Sequence, residues 1–485
     1  MPDGTGLTPT GPSNPLGRWA AYGLGIGVVV GIGLAALFNA SRHTLSYYDE
    51  GVYYHQGVLW AQGQRPYTDY FVPQPPGILM AGAASYRCGT GLAGVRVLTW
   101  LCGLVVLYQT FWITRRSAQR CQLAPPGLIG LTAAALVVCS NRFVYTCTQA
   151  GTDMPSTCLV LAVLQVLLVT ECRRGMLPGA LLGLSTLIRL QPASFLPGIV
   201  MMILMTDASG RRIRTAALFV GGFILAFALG HGALALVAPG YTEGVFLFQM
   251  QRLRVGTGEK LLILLQFLGE PHVGFAAVAV GCTLASPVRA VRSLAWLAAY
   301  LVIVTTFSGN VLYLIYFLPS LPLLMTAASL VIASAARTIG GGPWPHFFAV
   351  LVAACGTGLS IKSEFLDQRR LDPIHRRYIE AVRAAPGAVL LTDDGRVAVA
   401  AGKRLVADYY ATDPNALFQL DPERFRGWLR DVLPQADAVG VSPKFFDWLT
   451  SADARLLRDS GKPLIFESEA LERSFDSKAN RVPNP

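Results

Sequence analysis

Long apolar runs separated by short polar islands occupy the first three quarters of the chain. A bilayer core of about 30 Å needs roughly 20 residues of helix, at about 1.5 Å rise per residue. On that criterion the pattern predicts spans near 19–40, 92–114, 126–141, 154–170, 212–237, 261–284, 291–307, 309–336 and 345–361. A further apolar stretch, 176–206, is interrupted at "IRLQP". Each half would reach only about 22 Å as a helix, so two short spans or a re-entrant hairpin both fit, with Arg189 at or near the apex. Counted as two spans it brings the total to about eleven.

Basic residues cluster in five islands: Arg115, Arg116 and Arg120; Arg173 and Arg174; Arg211, Arg212 and Arg214; Arg289 and Arg292; and Arg337. Basic loops stay on the cytoplasmic side. The N-terminal leader 1–18 is then cytoplasmic, the membrane part runs over 19–361, and the tail 362–485 is exoplasmic. The leader is rich in Pro, Gly and Thr and lacks the basic flank and cleavage site of a secretory signal, so 19–40 reads as a retained span. After Lys362 the period shortens. Strand-like runs at 388–394, 404–408, 437–442 and 463–468 alternate with helical patterns at 374–385, 421–433 and 443–458, which predicts a small soluble α/β domain. Asp393-Asp394-Gly395 ends the first of these runs and reads as a turn signal or as a site.

Composition fits a polytopic membrane protein, with 53% hydrophobic and 14% charged residues and a mean hydropathy of +0.45. The tail carries 19 basic and 19 acidic residues, so the whole net charge of +11 belongs to the membrane part and serves orientation rather than nucleic-acid binding. Cysteines fall mostly in apolar runs and suggest no disulfide framework, although Cys88 and Cys147 would share the exoplasmic side.

Acidic residues are scarce in the membrane part, and most fall outside: Asp49, Glu50, Asp69, Asp153, Glu243, Glu259 and Glu270. Any chemistry is therefore expected on the exoplasmic face, whose first two outer loops are 41–91 and 141–153. The first contains "SYYDEGVYYHQGVLWAQGQRPYTDYFVPQPPG", whose start fits an amphipathic helix on the interface before Gly63 and the prolines break it. Asp49 and Asp153 each precede a helical pattern, so each reads as an N-cap or as a cavity carboxylate able to act as a general base. Arg189 inside an apolar stretch is either a snorkelling side chain or one retained for a partner. His55 and His272 show no metal-ligand spacing.

Asp49-Glu50-Gly51-x-Tyr53 followed by "GQRPYTDYFVPQPPG" resembles the first-loop signature of the GT-C glycosyltransferases. These multi-spanning transferases include the protein O-mannosyltransferases, the aminoarabinose transferase of lipid A and bacterial transferases of galacturonic acid to lipopolysaccharide. Asp153, the "GLSTLIR" half-helix, the late "YLIYFLPSLP" and the outer tail extend the similarity over most of the chain. The resemblance implies transfer of a sugar from a polyprenyl-phosphate donor to a lipid, glycan or protein acceptor on the outer face, in a bacterial inner membrane. By position, Asp49 is the base, with Glu50 as second choice and Asp153 beside them. The leaving phosphate needs positive charge, for which Arg189 is the first candidate and the loop residues Arg252, Arg254 and Lys260 the others. Tyr53, Tyr67, Asp69, Tyr313 and Tyr316 would line the cavity. A divalent cation on Asp49 and Asp153 is possible, since some members of the superfamily use one, but two acids fall short of a coordination set. The competing reading is a transporter or flippase for a lipid-linked or small solute, because transporters also build broken helices around an embedded charge.

Overall fold

The computed structural model describes residues 48–170, 174–206, 211–252, 255–310, 312–339, 342–406 and 421–480; between 407 and 420 it describes only residues 408, 413, 414, 417 and 418. The leader, the expected span 19–40 and Arg254 lie outside the described residues.

Two helices fill the loop before the first described long helix. α1 (Tyr48–Ala61) carries Asp49 and Glu50 in its first turn, where negative charge favours the helix N-terminus, and α2 (Gly77–Arg87) returns beside it after the proline-rich stretch. They approach so closely that a Cβ on Gly57 would lie 2.9 Å from the Cα of Gly82. The bundle continues through α3 (Gly91–Arg120), α4 (Pro126–Val138), α5 (Asn141–Thr148), α6 (Asp153–Val169), α7 (Met176–Ser185), α8 (Leu196–Thr206) and α9 (Arg212–Val237). After these come α10 (Thr257–Leu268), α11 (Pro271–Leu284), α12 (Arg289–Phe307), α13 (Leu321–Thr338) and the 41-residue α14 (Trp344–Ala384).

Among the described residues, α3, α9, α12 and α13 are long and apolar enough to cross a membrane. Two bent pairs join them if each is one span: α4 with α5 at 71° and α10 with α11 at 97°. The second bend falls at Gly269-Glu270-Pro271, where proline starts α11 at its first turn and holds Glu270 extended. The stretch 176–206 is broken as its sequence suggests: α7 ends at Ser185, and Pro192 sits in a 3₁₀ turn over Gln191–Phe195. The predicted span 309–336 is shorter than expected. Residues 308–320 are irregular, with an extended Tyr313 and a 3₁₀ turn at Leu314–Phe317, because Gly309, Pro319 and Pro322 disfavour an early helix. Conversely, the expected span 345–361 and tail helix 374–385 are one continuous helix, α14, which runs about 60 Å.

The tail forms a four-stranded parallel sheet, β1 (Val389–Leu391), β2 (Arg404–Leu405), β3 (Ala438–Val441) and β4 (Leu464–Phe466), in the order β2-β1-β3-β4. Its helices are α15 (Gly395–Ala401), α16 (Pro422–Val432), α17 (Pro443–Trp448), α18 (Ser451–Asp459) and α19 (Glu469–Ala479). The pattern at 443–458 is thus two helices, because Leu449 and Thr450 are extended and Thr450 caps the second through a reciprocal pair with Asp453. Phe71 and Phe248, from the loops of the bundle, are buried in the same apolar cluster as Phe425, Trp428 and Phe445 of the tail. Cys88 and Cys147 are both free thiols, the first exposed and the second buried against Gly103.

Candidate functional site

A cavity of about 150 Å³ opens where α1, the break after α7, the irregular segment before α13 and the tail meet; its wall includes Asp49, Tyr53, Arg189, Arg252, Tyr313 and Tyr316. Each is set by a local feature of the chain. Asp49 and Tyr53 lie four apart on α1 and therefore share one face. Arg189 follows the end of α7, where the helix has stopped and the side chain can turn inward. Its guanidinium forms an ion pair with Asp153, bonds Thr152 Oγ1 at 3.2 Å and lies 4.2 Å from the centre of the Tyr316 ring. The residue is only 12% exposed, so it is held on all sides rather than reaching for an interface.

Asp153 does not cap α6. Thr152 occupies that position without a side-chain cap bond, and the Asp153 carboxylate stands behind Arg189 as its counter-ion. Arg252 stacks 5.4 Å from the Phe248 ring and reaches Gln249, whose amide donates to the Pro73 carbonyl at 2.9 Å. This ties the basic loop to the proline-rich return. Tyr53 is buried in the cavity wall, and burial first, then the Asp49 carboxylate, raise its phenol well above the ordinary value. It is therefore a neutral donor.

Other residues expected at the site stand elsewhere. Glu50 faces away from the cavity into the packing between α1 and α3. There Arg96 Nε and Nη2 donate to it at 2.7 and 2.6 Å and the Ala150 amide at 2.8 Å, with both charged side chains essentially inaccessible. Adjacent helical residues point about 100° apart, which is why one carboxylate of the pair reaches the cavity and its neighbour does not. Tyr67 is buried behind the wall; its hydroxyl donates to the Gln74 carbonyl at 2.8 Å and its ring meets Tyr241 edge-on at 4.8 Å. It holds φ at +64°, an unusual conformation for a non-glycine residue, so its part is to shape the loop that puts Pro73 and Gln74 on the cavity. Asp69 pairs with Arg65 on the surface at 3.0 Å, and that bond holds its carboxyl below the usual range. Lys260 bonds the Gly309 carbonyl and braces the segment that carries Tyr313.

Among the described residues no three histidine, cysteine or acidic side chains gather into a ligand set, and Asp153 is committed to Arg189. Asp49 and Asp153 would by themselves supply only part of the six or more oxygens that a divalent cation takes.

The wall residues that were not anticipated include Asp413 and Lys444 of the tail. The signal for Lys444 is present in the chain. It stands three residues after β3, and ligands of open parallel sheets gather beyond the carboxyl ends of the strands.

The fold has solved relatives. The chain superposes on ArnT from Cupriavidus metallidurans bound to undecaprenyl phosphate with a TM-score of 0.50 and 15% identity, over 94% of this chain and 88% of that one. The apo form of the same protein gives 0.50 and 16%, over 96% and 89%. An oligosaccharyltransferase of Archaeoglobus fulgidus, in complex with zinc and sulfate, gives 0.50 and 13%, over 85% and 67%. Both proteins are GT-C superfamily members. The chain shares the fold of these two proteins. No protein-family model matches it, and no curated protein does. At these identities the likeness is one of fold, and the chemistry rests on the cavity.

Proposed function

We propose that the protein is a membrane glycosyltransferase that moves a sugar from a polyprenyl-phosphate carrier to an acceptor hydroxyl, and that the reaction takes place on the exoplasmic face. The observation that carries this reading is one cavity lined by a carboxylate, Asp49, and two guanidinium side chains, Arg189 and Arg252. Displacement at an anomeric carbon needs both functions in one place: a base for the attacking hydroxyl and positive charge for the departing phosphate. The GT-C fold, and the undecaprenyl phosphate bound by one protein that shares it, support a lipid-linked donor.

Asp49 accepts the proton of the acceptor hydroxyl as its oxygen attacks the anomeric carbon. The bond from that carbon to the carrier phosphate breaks, and the phosphate leaves with its electron pair. Arg189, orientated by Asp153 and by the face of Tyr316, meets the phosphate oxygens, and Arg252 adds a second cation. Tyr53, one helical turn from Asp49 on the same wall, is placed to donate a hydrogen bond to the substrate. The arrangement needs no nucleotide, since the phosphate is already at the membrane edge.

The test is affinity for undecaprenyl phosphate in purified protein reconstituted in lipid. Arg189→Ala should weaken binding of the carrier more than tenfold, in line with the loss of a charge-assisted contact of about 1.5–3 kcal/mol. Unchanged carrier affinity in a folded variant removes Arg189 from the phosphate site.

A further inference from the structure

The cavity wall is completed by the tail, and the tail brings a different chemistry from the bundle. In the sheet order β2-β1-β3-β4 the chain leaves β1 towards β2 and then crosses back to β3 on the other side. The crevice beyond the carboxyl ends of β1 and β3 is the point where the order reverses, and open parallel sheets place ligands there. Here that crevice holds Asp393 after β1 and Ser442 after β3, joined by a 2.8 Å bond from the serine hydroxyl to the carboxylate. Lys444, two residues further on, extends from this edge to the cavity that Asp49 lines.

The charges around Lys444 differ from those around Arg189. Burial pushes its ammonium below the usual lysine value, and the carboxylates of Asp49, Asp413, Asp393 and Asp394 act against that shift. On the cavity wall this ammonium shares its corner with the carboxylates of Asp49 and Asp413, which disfavour a second phosphate there. An ammonium that donates beside a carboxylate that accepts instead suits neighbouring hydroxyls, each of which is both acceptor and donor. The rings of Tyr53 and Phe248 on the same wall offer an apolar face for the C–H side of a sugar ring.

We infer that Asp413 and Lys444 form a subsite for the ring hydroxyls of the transferred sugar, so that the tail reads the sugar while Arg189 and Arg252 hold the phosphate. This rests on the glycosyl-transfer reading above and adds to it the element that selects the substrate. Selectivity built on hydrogen bonds to hydroxyls is steep, because a sugar lacking the right hydroxyl forgoes a charge-assisted bond that the matching sugar makes.

The experiment uses the full chain in lipid nanodiscs and measures affinity for undecaprenyl phosphate alone and for undecaprenyl phosphate carrying a hexose, a pentose or a uronic acid. Wild type should bind one loaded carrier about tenfold or more tightly than the bare one. Lys444→Met and Asp413→Asn should each reduce that affinity to the bare-carrier value while leaving bare-carrier affinity unchanged, and Lys444→Arg should restore part of the preference. Thermal midpoints select variants that fold, and Lys444→Arg against Asp413→Asn decides the matter if Lys444→Met does not. A preference retained in the folded variants, or a wild type that prefers no loaded carrier, overturns the subsite. Loss of bare-carrier affinity in Lys444→Met overturns it as well, by making the lysine a phosphate ligand. If wild type binds no carrier, bare or loaded, the glycosyl-transfer reading falls and the subsite falls with it.

Discussion

Asp49 and Glu50 share a helical turn yet have opposite surroundings, and their substitutions should separate accordingly. Glu50 is sealed against Arg96, and removing one partner of a buried ion pair leaves the other charge uncompensated at a cost of about 3–5 kcal/mol. Glu50→Ala should therefore lower the thermal midpoint strongly or prevent insertion. Asp49→Asn keeps the shape of a cavity residue that is only partly covered, and should leave the midpoint near wild type. Thermal unfolding of the two purified variants side by side checks this. Equal destabilisation would assign Asp49 a structural part. A second prediction at this scale concerns Asp393, whose carboxyl is pushed up from 3.8 to about 7, by burial first and then by the neighbouring Asp394. An acid with a raised folded-state value binds its proton more tightly when folded, so its contribution to stability is complete below about pH 4 and is lost as pH rises through about 7. Asp393→Asn should flatten that part of the profile of thermal midpoint against pH; an unaltered slope would show that Asp393 does not titrate there.

Among the elements, the broken helix after α7 matters most to the cavity, and its position is set by packing on α9. Gly175, Gly179 and Gly183 recur every four residues along one face and let α7 lie directly on the α9 backbone; a Cβ on Gly183 would stand 2.8 Å from the Phe223 carbonyl oxygen. Gly183→Val should force the helices apart and displace Arg189, so carrier affinity should fall with stability. Retained affinity would show that the break holds Arg189 without that contact. The apolar runs and the four strands of the tail were legible in the chain, because hydrophobic period and turn residues determine them locally. The division between Asp49 and Glu50 was not, since it depends on where Arg96 of α3 meets α1. Nor was the irregular segment around Tyr313 and Tyr316, whose apolar residues match a span while Gly309, Pro319 and Pro322 break the helix. Asp153 reads in the sequence as a cap or a cavity carboxylate, and its service to Arg189 follows from the start of α6 meeting the break after α7, 36 residues on.

For the whole molecule, the tail and the bundle share a core as well as a cavity. Phe71 and Phe248 pack with the tail's aromatic cluster, and α15 rests on α1 so closely that a Cβ on Gly395 would lie 3.1 Å from the His55 ring. Burial holds that imidazole down at about 4, so it is a neutral packing group at physiological pH. The central claim is that this joint cavity transfers a sugar with Asp49 as base. The most direct measurement follows radiolabelled sugar from a panel of polyprenyl-phosphate donors, using purified protein in lipid with total membrane extract as acceptor, beside Asp49→Asn. The account predicts transfer from at least one donor and its loss in the folded variant. Folded wild-type protein that releases sugar from no donor, or a variant that transfers at the wild-type rate, would contradict it.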